Sequence, residues 1–183
     1  QDWRDDAEAG GVINGNYSVS GSDSMGPKKI LGSLTVTNNT TLTMTGTIWV
    51  TGTLTVSNNA TIKLSPGYGA NSGVIIADYA VNVSNNANLL GSGQLGSYML
   101  AVAGRNDPLN QVMIIDNNST AAIYYASHGR ILLKNNAAAK EVTGYGIDMN
   151  NNAVVTYESG LANVQFSSGP GASFEVVGWK EIQ

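Results

Sequence analysis

The chain has no cysteine, one histidine, two phenylalanines and few charges: 12% of its 183 residues are Asp, Glu, Lys or Arg. Each shortage excludes something. Without cysteine there is no disulfide framework and no thiolate zinc site. Nine Lys plus Arg against 13 Asp plus Glu, a formal net charge of −4, leave no basic footprint, so no nucleic-acid partner is expected. No apolar run reaches the ~18 residues of a membrane-spanning helix, so no span is expected in this segment. The longest, Tyr98-Met-Leu-Ala-Val-Ala103, sits between Gly96 and Gly104 and reads as a buried strand. The one His follows Ser127 directly, which puts the two side chains on opposite faces of a strand rather than in a nucleophile triad. Neither a P-loop nor a dinucleotide fingerprint occurs, and no cofactor or metal is expected.

What the chain has in quantity is 22 Gly, 21 Asn and a hydrophobic share of 42%. That share is too high for a disordered chain, and the length suits one domain. The Asn are not scattered. Gly32-Ser-Leu-Thr-Val-Thr-Asn-Asn-Thr-Thr-Leu42 lies over Gly52-Thr-Leu-Thr-Val-Ser-Asn-Asn-Ala-Thr-Ile62, offset by 20 residues. The same unit recurs around Asn85/Asn86, Asn117/Asn118, Asn135/Asn136 and Asn151/Asn152, at further offsets of 27, 32, 18 and 16. Such internal periodicity marks a solenoid.

Within a copy the apolar period is two. Leu42, Met44, Ile48, Val50, Leu54 and Val56 alternate with polar residues and Trp, which is strand periodicity. Short strands punctuated by Gly46 and Gly52, three to a turn of 16 to 20 residues, describe a three-faced coil. We therefore expect an all-β, single-stranded, right-handed parallel β-helix of roughly seven to nine coils. At ~4.8 Å per rung it would stand about 35–45 Å tall. The division expected is an N-terminal segment, 1–29, as a candidate cap, and a β-helix over 30–183 that ends in a terminal strand.

The Asn pairs fit tight corners, since Asn tolerates the left-handed backbone region and its amide can bond its counterpart in the next rung. An Asn-lined ligand groove is the alternative. The long offsets of 27 and 32 predict loop insertions at Pro66-Gly-Tyr-Gly-Ala-Asn-Ser-Gly73 and near Gly104-Arg-Asn-Asp-Pro-Leu-Asn110. An extra coil turning at Gly91-Ser-Gly-Gln-Leu-Gly96 could serve in place of one of them.

Outward positions before each Asn pair read Thr35, Thr55, Asn82, Ile114, Leu132 and Asp148. Ile114 and Leu132 should be neighbours on adjacent rungs, either covered by another part of the chain or open to a partner. Trp49 also faces outward, for local packing or for a sugar or protein. Trp49, Ile114 and Leu132 are thus the candidate surface contacts. An enzyme would need acids converging with Arg or Lys on one face, and Arg105, Asp107, Asp116 and Arg130 are the residues to inspect.

Two resemblances add to this reading. The stretch Tyr157-Glu-Ser-Gly-Leu-Ala-Asn-Val-Gln-Phe-Ser-Ser-Gly-Pro-Gly-Ala-Ser-Phe-Glu-Val-Val-Gly-Trp-Lys-Glu-Ile182 resembles the closing segment of minor-pilin-like bacterial envelope proteins similar to the PilX group. That likeness implies an N-terminal prepilin helix upstream of a β-rich ectodomain. The chain begins at Gln1 rather than Met, which fits removal of such an anchor. The short apolar coils are similar to those of bactofilins, which implies self-assembly through coil ends. Ser127-His128-Gly129-Arg130-Ile131 superficially resembles elements of polygalacturonases, but the His and Arg motifs are fused here and no Asp-Asp motif precedes them.

The function expected is a non-catalytic, extracellular or cell-surface module for structure or adhesion, associated with a pilus or envelope. Its partner would be a protein or a glycan at the cell surface. The alternatives are a carbohydrate-binding or polysaccharide-degrading β-helix and a self-assembling scaffold. The sequence leaves the oligomeric state open.

Overall fold

A computed structural model describes residues 2–119, 122–157, 161 and 164–166. Among these described residues a short helix, α1 (Asp2–Ala9), leads into seven stacked coils. Coil 1 is β1 (Val12–Asn14), β2 (Tyr17–Ser18) and β3 (Ser22–Met25); coil 2 is β4 (Lys28–Leu31), β5 (Leu34–Val36) and β6 (Thr41–Met44). Coil 3 is β7 (Ile48–Val50), β8 (Thr53–Val56) and β9 (Thr61–Leu64); coil 4 is β10 (Gly73–Ala77), β11 (Ala80–Val83) and β12 (Asn88–Leu90). Coil 5 holds β13 (Met99–Ala103) and β14 (Asp107–Ile115). Coil 6 holds β15 (Ile123–Leu133) and β16 (Ala138–Ala139), and coil 7 holds β17 (Glu141–Met149) and β18 (Val154–Val155).

Every strand pairing among the described residues is parallel. The first face stacks β1-β4-β7-β10-β13 and then the leading halves of β15 and β17; the second stacks β2-β5-β8-β11-β14 and their trailing halves. The third face, β3-β6-β9-β12, gives way to the two-residue pair β16 and β18 in the upper coils. The chain is the parallel β-helix that its repeat predicts, and its first coil begins at Val12, upstream of the boundary expected at residue 30.

The alternation explains the core. Leu34, Val36, Leu42, Met44, Ile48, Val50, Leu54, Val56 and Ile62 point inward and are fully buried. Each such side chain contributes about 1.5–3 kcal/mol by leaving water. The corners follow the Asn pairs: all twelve Asn have φ between 48° and 63°. Their amides form two ladders. Asn58 Nδ2 donates to Asn38 Oδ1 at 3.2 Å, Asn85 to Asn58 at 3.0 Å and Asn117 to Asn85 at 2.8 Å. Beside them Asn86 donates to Asn59, Asn118 to Asn86, Asn136 to Asn118 and Asn152 to Asn136. One rung departs from the rule: Asn135 Nδ2 donates to the Asp116 carboxylate at 2.7 Å. A carboxylate only accepts, so it fixes which way the Asn135 amide faces, and Asn151 then donates to Asn135 Oδ1 at 2.8 Å.

The insertions fall at corners between faces, and the last of them runs into the irregular start of β14. Residues 65–72 carry a 3-10 turn, Pro66–Tyr68, whose Tyr68 ring folds back onto the core. The 32-residue step carries two insertions, 91–98 at that same corner and 104–112 between the first and second faces. Residues 91–96 therefore form a turn and not an additional coil. The closing-strand residues Phe174, Val176, Val177, Trp179 and Ile182 lie outside the described residues, as does most of the pilin-like stretch.

Candidate interaction surface

The outward rank of the second face has the predicted register. Thr35 pairs with Thr55, Thr55 with Asn82, Asn82 with Ile114, Ile114 with Leu132 and Leu132 with Asp148. Ile114 and Leu132 are adjacent and half-buried. They are flanked by two ion pairs, Lys134–Asp116 at 3.1 Å on the Asn-corner side and Arg130–Asp148 at 2.6 Å on the other.

Trp49 belongs to a different surface. Its indole Nε1 donates to Asp78 Oδ2 at 2.7 Å, and Asp78 Oδ1 accepts from Arg4 Nη2 of α1 at 2.6 Å. Lys29 Nζ lies 4.0 Å from the indole centroid. Trp49 is half-buried where α1 packs along β4 and β7. The coils above it continue with Val74, Ile76, Leu100 and Ile123, outward side chains of the first face that are nevertheless buried. Trp3, Leu161, Val164 and Phe166 pack over them, with the Trp3 and Phe166 rings edge to face at 5.5 Å. The Ser72 N–H donates to the Gln165 carbonyl at 2.7 Å, which brings this returning segment to the level of coil 4. A cavity of about 280 Å³ remains between the returning segment and Leu100, Ile123, Tyr125 and Glu141.

The corner between the first and second faces changes character along the stack. In coils 1 to 3 it is glycine. A Cβ on Gly32 would lie 2.5 Å from the Gly15 carbonyl carbon, and one on Gly52 would lie 2.8 Å from the Gly32 carbonyl oxygen. From coil 4 upward the corner carries Tyr79, the 104–112 insertion, His128 and Tyr145. Register brings Asp107 opposite Gly129 and Gln111 opposite Arg130, so Pro108, Leu109 and Asn110 bulge outward between them.

Three of the four residues to inspect for chemistry, Arg105, Asp107 and Arg130, meet at this corner. Asp116 lies apart, at the Asn corner. Arg105 Nη2 donates to Asp107 Oδ2 at 2.6 Å, and the Arg105 guanidinium stacks 4.7 Å from the Tyr79 centroid. Asn110 donates to Asp107 through its side-chain and backbone N–H groups. The Asn110 side-chain bond, helped by the Arg105 charge, holds the Asp107 carboxyl below the usual carboxylate range. Arg130 grips Asp148 with two N–H groups, at 2.6 and 3.1 Å. That grip lowers the Asp148 pKa, with a further hydrogen bond from Gln111, and raises that of Arg130. His128 is exposed, with Nδ1 2.9 Å from Ser127 Oγ. The two side chains therefore do not lie on opposite faces as strand alternation predicts, because β15 breaks register between Ala126 and Arg130 as it turns from the first face to the second. The sequence names Asp148 only as an outward residue; its link to Arg130 follows from the 18-residue rung between them.

Among the described residues no three His, Asp or Glu side chains group as metal ligands, and no helix is long and apolar enough to cross a membrane. Compared with protein families, with curated proteins and with solved structures, the chain matches none.

Proposed function

We propose that this chain is a non-catalytic structural or adhesion module that works outside the cytoplasm, displayed at a cell surface in association with a pilus or envelope. The observation that carries the reading is how the polar corner is used. Its two carboxylates, Asp107 and Asp148, are both held ionised by arginine and amide donors. Glycoside hydrolysis needs one carboxyl kept protonated to donate to the leaving oxygen. The corner has the chemistry of a rigid binding face instead. The absence of cysteine and the amide-rich surface suit the same setting.

Two measurements test the proposal. Antibody labelling of intact source cells should be positive without permeabilisation, and labelling only after lysis would sink it. Incubation with a polysaccharide panel should release no reducing or unsaturated ends. Turnover that disappears in Asp148→Asn would put a degrading enzyme in its place.

One observation favours the self-assembling alternative. Among the described residues β17 pairs with β15 alone, and the inward positions Ile147 and Met149 of coil 7 are exposed where Ile131 and Leu133 below them are buried. An uncovered coil end invites edge pairing. Light scattering that finds filaments would support that reading, and a monodisperse monomer would end it.

A further inference from the structure

We propose that the corner formed by Tyr79, Arg105, Asp107, Gln111, Arg130, Tyr145 and Asp148 binds an uncharged glycan chain lying along the stack. The inference rests on the adhesion reading above and names its ligand class.

Three observations converge. The first is the pair of aromatic platforms. Tyr79 is 55% exposed and Tyr145 66% exposed, at the same corner in coils 4 and 7. Buried aromatic rings need no explanation, whereas two bared rings in one column offer flat apolar surfaces to the C–H faces of sugar rings. Tyr79 is braced by the Arg105 guanidinium, which limits the side-chain freedom lost on binding.

The second observation is the polar set between the rings. Arg105, Asp107, Asn110, Gln111, Arg130 and Asp148 are fork-shaped groups that donate or accept in a plane, the geometry that vicinal hydroxyls match. Internal hydrogen bonds fix them before any ligand arrives. Such pre-organisation is what a binding site needs.

The third is charge. Two arginines and two aspartates pair one to one at 2.6 Å, so the corner presents no unpaired charge. A uronate or sulfate chain would have to break those pairs, whereas a neutral chain keeps them. The column spans three rungs, about 14 Å. That length suits a short run of sugars and exceeds a single one.

The test uses the purified chain against immobilised chitohexaose, mannohexaose, maltohexaose and cellohexaose, with hexagalacturonate as the anionic comparator. We expect binding to at least one neutral chain, little changed by added salt because no net charge is engaged. Tyr145→Ala and Tyr79→Ala should each weaken it about tenfold, the share of one aromatic contact. Tyr145→Phe should retain it, and its thermal transition should match that of the parent chain, which separates lost contact from lost fold. No binding to any neutral chain, binding to hexagalacturonate alone, or neutral binding indifferent to both alanine variants would each overturn the proposal. The surface reading has its own measure, labelling of intact cells, so the two can fail separately.

Discussion

Coils 2 to 4 and coils 5 to 7 share the same Asn corner and differ almost everywhere else. The lower coils are three-sided and closed; coils 2 and 3 stack glycine at the corner between the first and second faces and Thr on the outward second face, and coil 4 brings in Tyr79 and Asn82. The upper coils lose most of the third face, carry the 104–112 insertion and put Tyr, Arg and Asp where glycine stood. The difference shows a division of labour within one repeat. Coils 2 and 3 repeat closely, because backbone contacts between rungs leave no room for side chains at their corner. The upper half keeps the rung spacing through its Asn ladder and is free to vary elsewhere.

That contrast can be broken by measurement. The largest expected effect is in the closed core. Leu54→Ala should lower unfolding free energy by about 2–5 kcal/mol, the range for buried leucine truncations. Ile147→Ala, at the exposed top coil, should cost less than about 1 kcal/mol, as surface changes do. Equal losses by denaturant titration would erase the distinction between the halves.

Next comes the ladder. Asn86 donates to Asn59 and accepts from Asn118, at φ 60°. Asn86→Ala should cost about 2–3 kcal/mol, from the left-handed backbone and the lost bonds together. Asn117 donates to Asn85, but Asn135 goes to Asp116 instead of to it, so Asn117→Ala should cost measurably less. If the two losses match, the ladder contributes only through backbone conformation.

A smaller effect has the opposite sign. Tyr124 is fully buried in coil 6, and its hydroxyl has no hydrogen-bond partner among the described residues. Burial pushes its pKa well up. Tyr124→Phe should be neutral or stabilising by about 1 kcal/mol, read as a rise in transition temperature. A clear loss would mean that the hydroxyl has a partner.

The smallest effect is on pH dependence. Asp107 and Asp148 have folded-state pKa values below their unfolded ones. Their contribution is therefore fully present above the unfolded value near 4 and is lost as pH falls through the lower folded values. Asp148→Asn should lower stability slightly at neutral pH and flatten that acid limb, so that the difference from the parent chain closes as pH falls. A deficit that persists undiminished at low pH would contradict the assignment.

The fold was legible because its rules are local. Asn pairs in one register announced the corners, and the period of two announced the inward residues. Less legible was the covering of the first face. The continuous apolar runs Gly73–Ala77 and Met99–Ala103 carry its signal, since a strand without alternation is buried on both sides. The identity of what covers it, Trp3 with Leu161, Val164 and Phe166, lies far away in sequence. The polar corner was hidden for a similar reason. Arg130 and Asp148 meet only once the 18-residue rung is known, and Asp107 is placed opposite Gly129 by a bulge that the repeat does not encode.

The direction of the Asn ladders has a further consequence. Wherever an Asn side chain bonds across a rung, the Nδ2 of the later coil donates to an acceptor on the coil before it, while the backbone N–H of Asn39, Asn59, Asn86, Asn118 and Asn136 donates the other way, to a carbonyl of the coil that follows. A chain delivered N-terminus first, as synthesis delivers it, thus meets a finished row of acceptors each time a new corner emerges. The stack can lengthen in the order in which it is made.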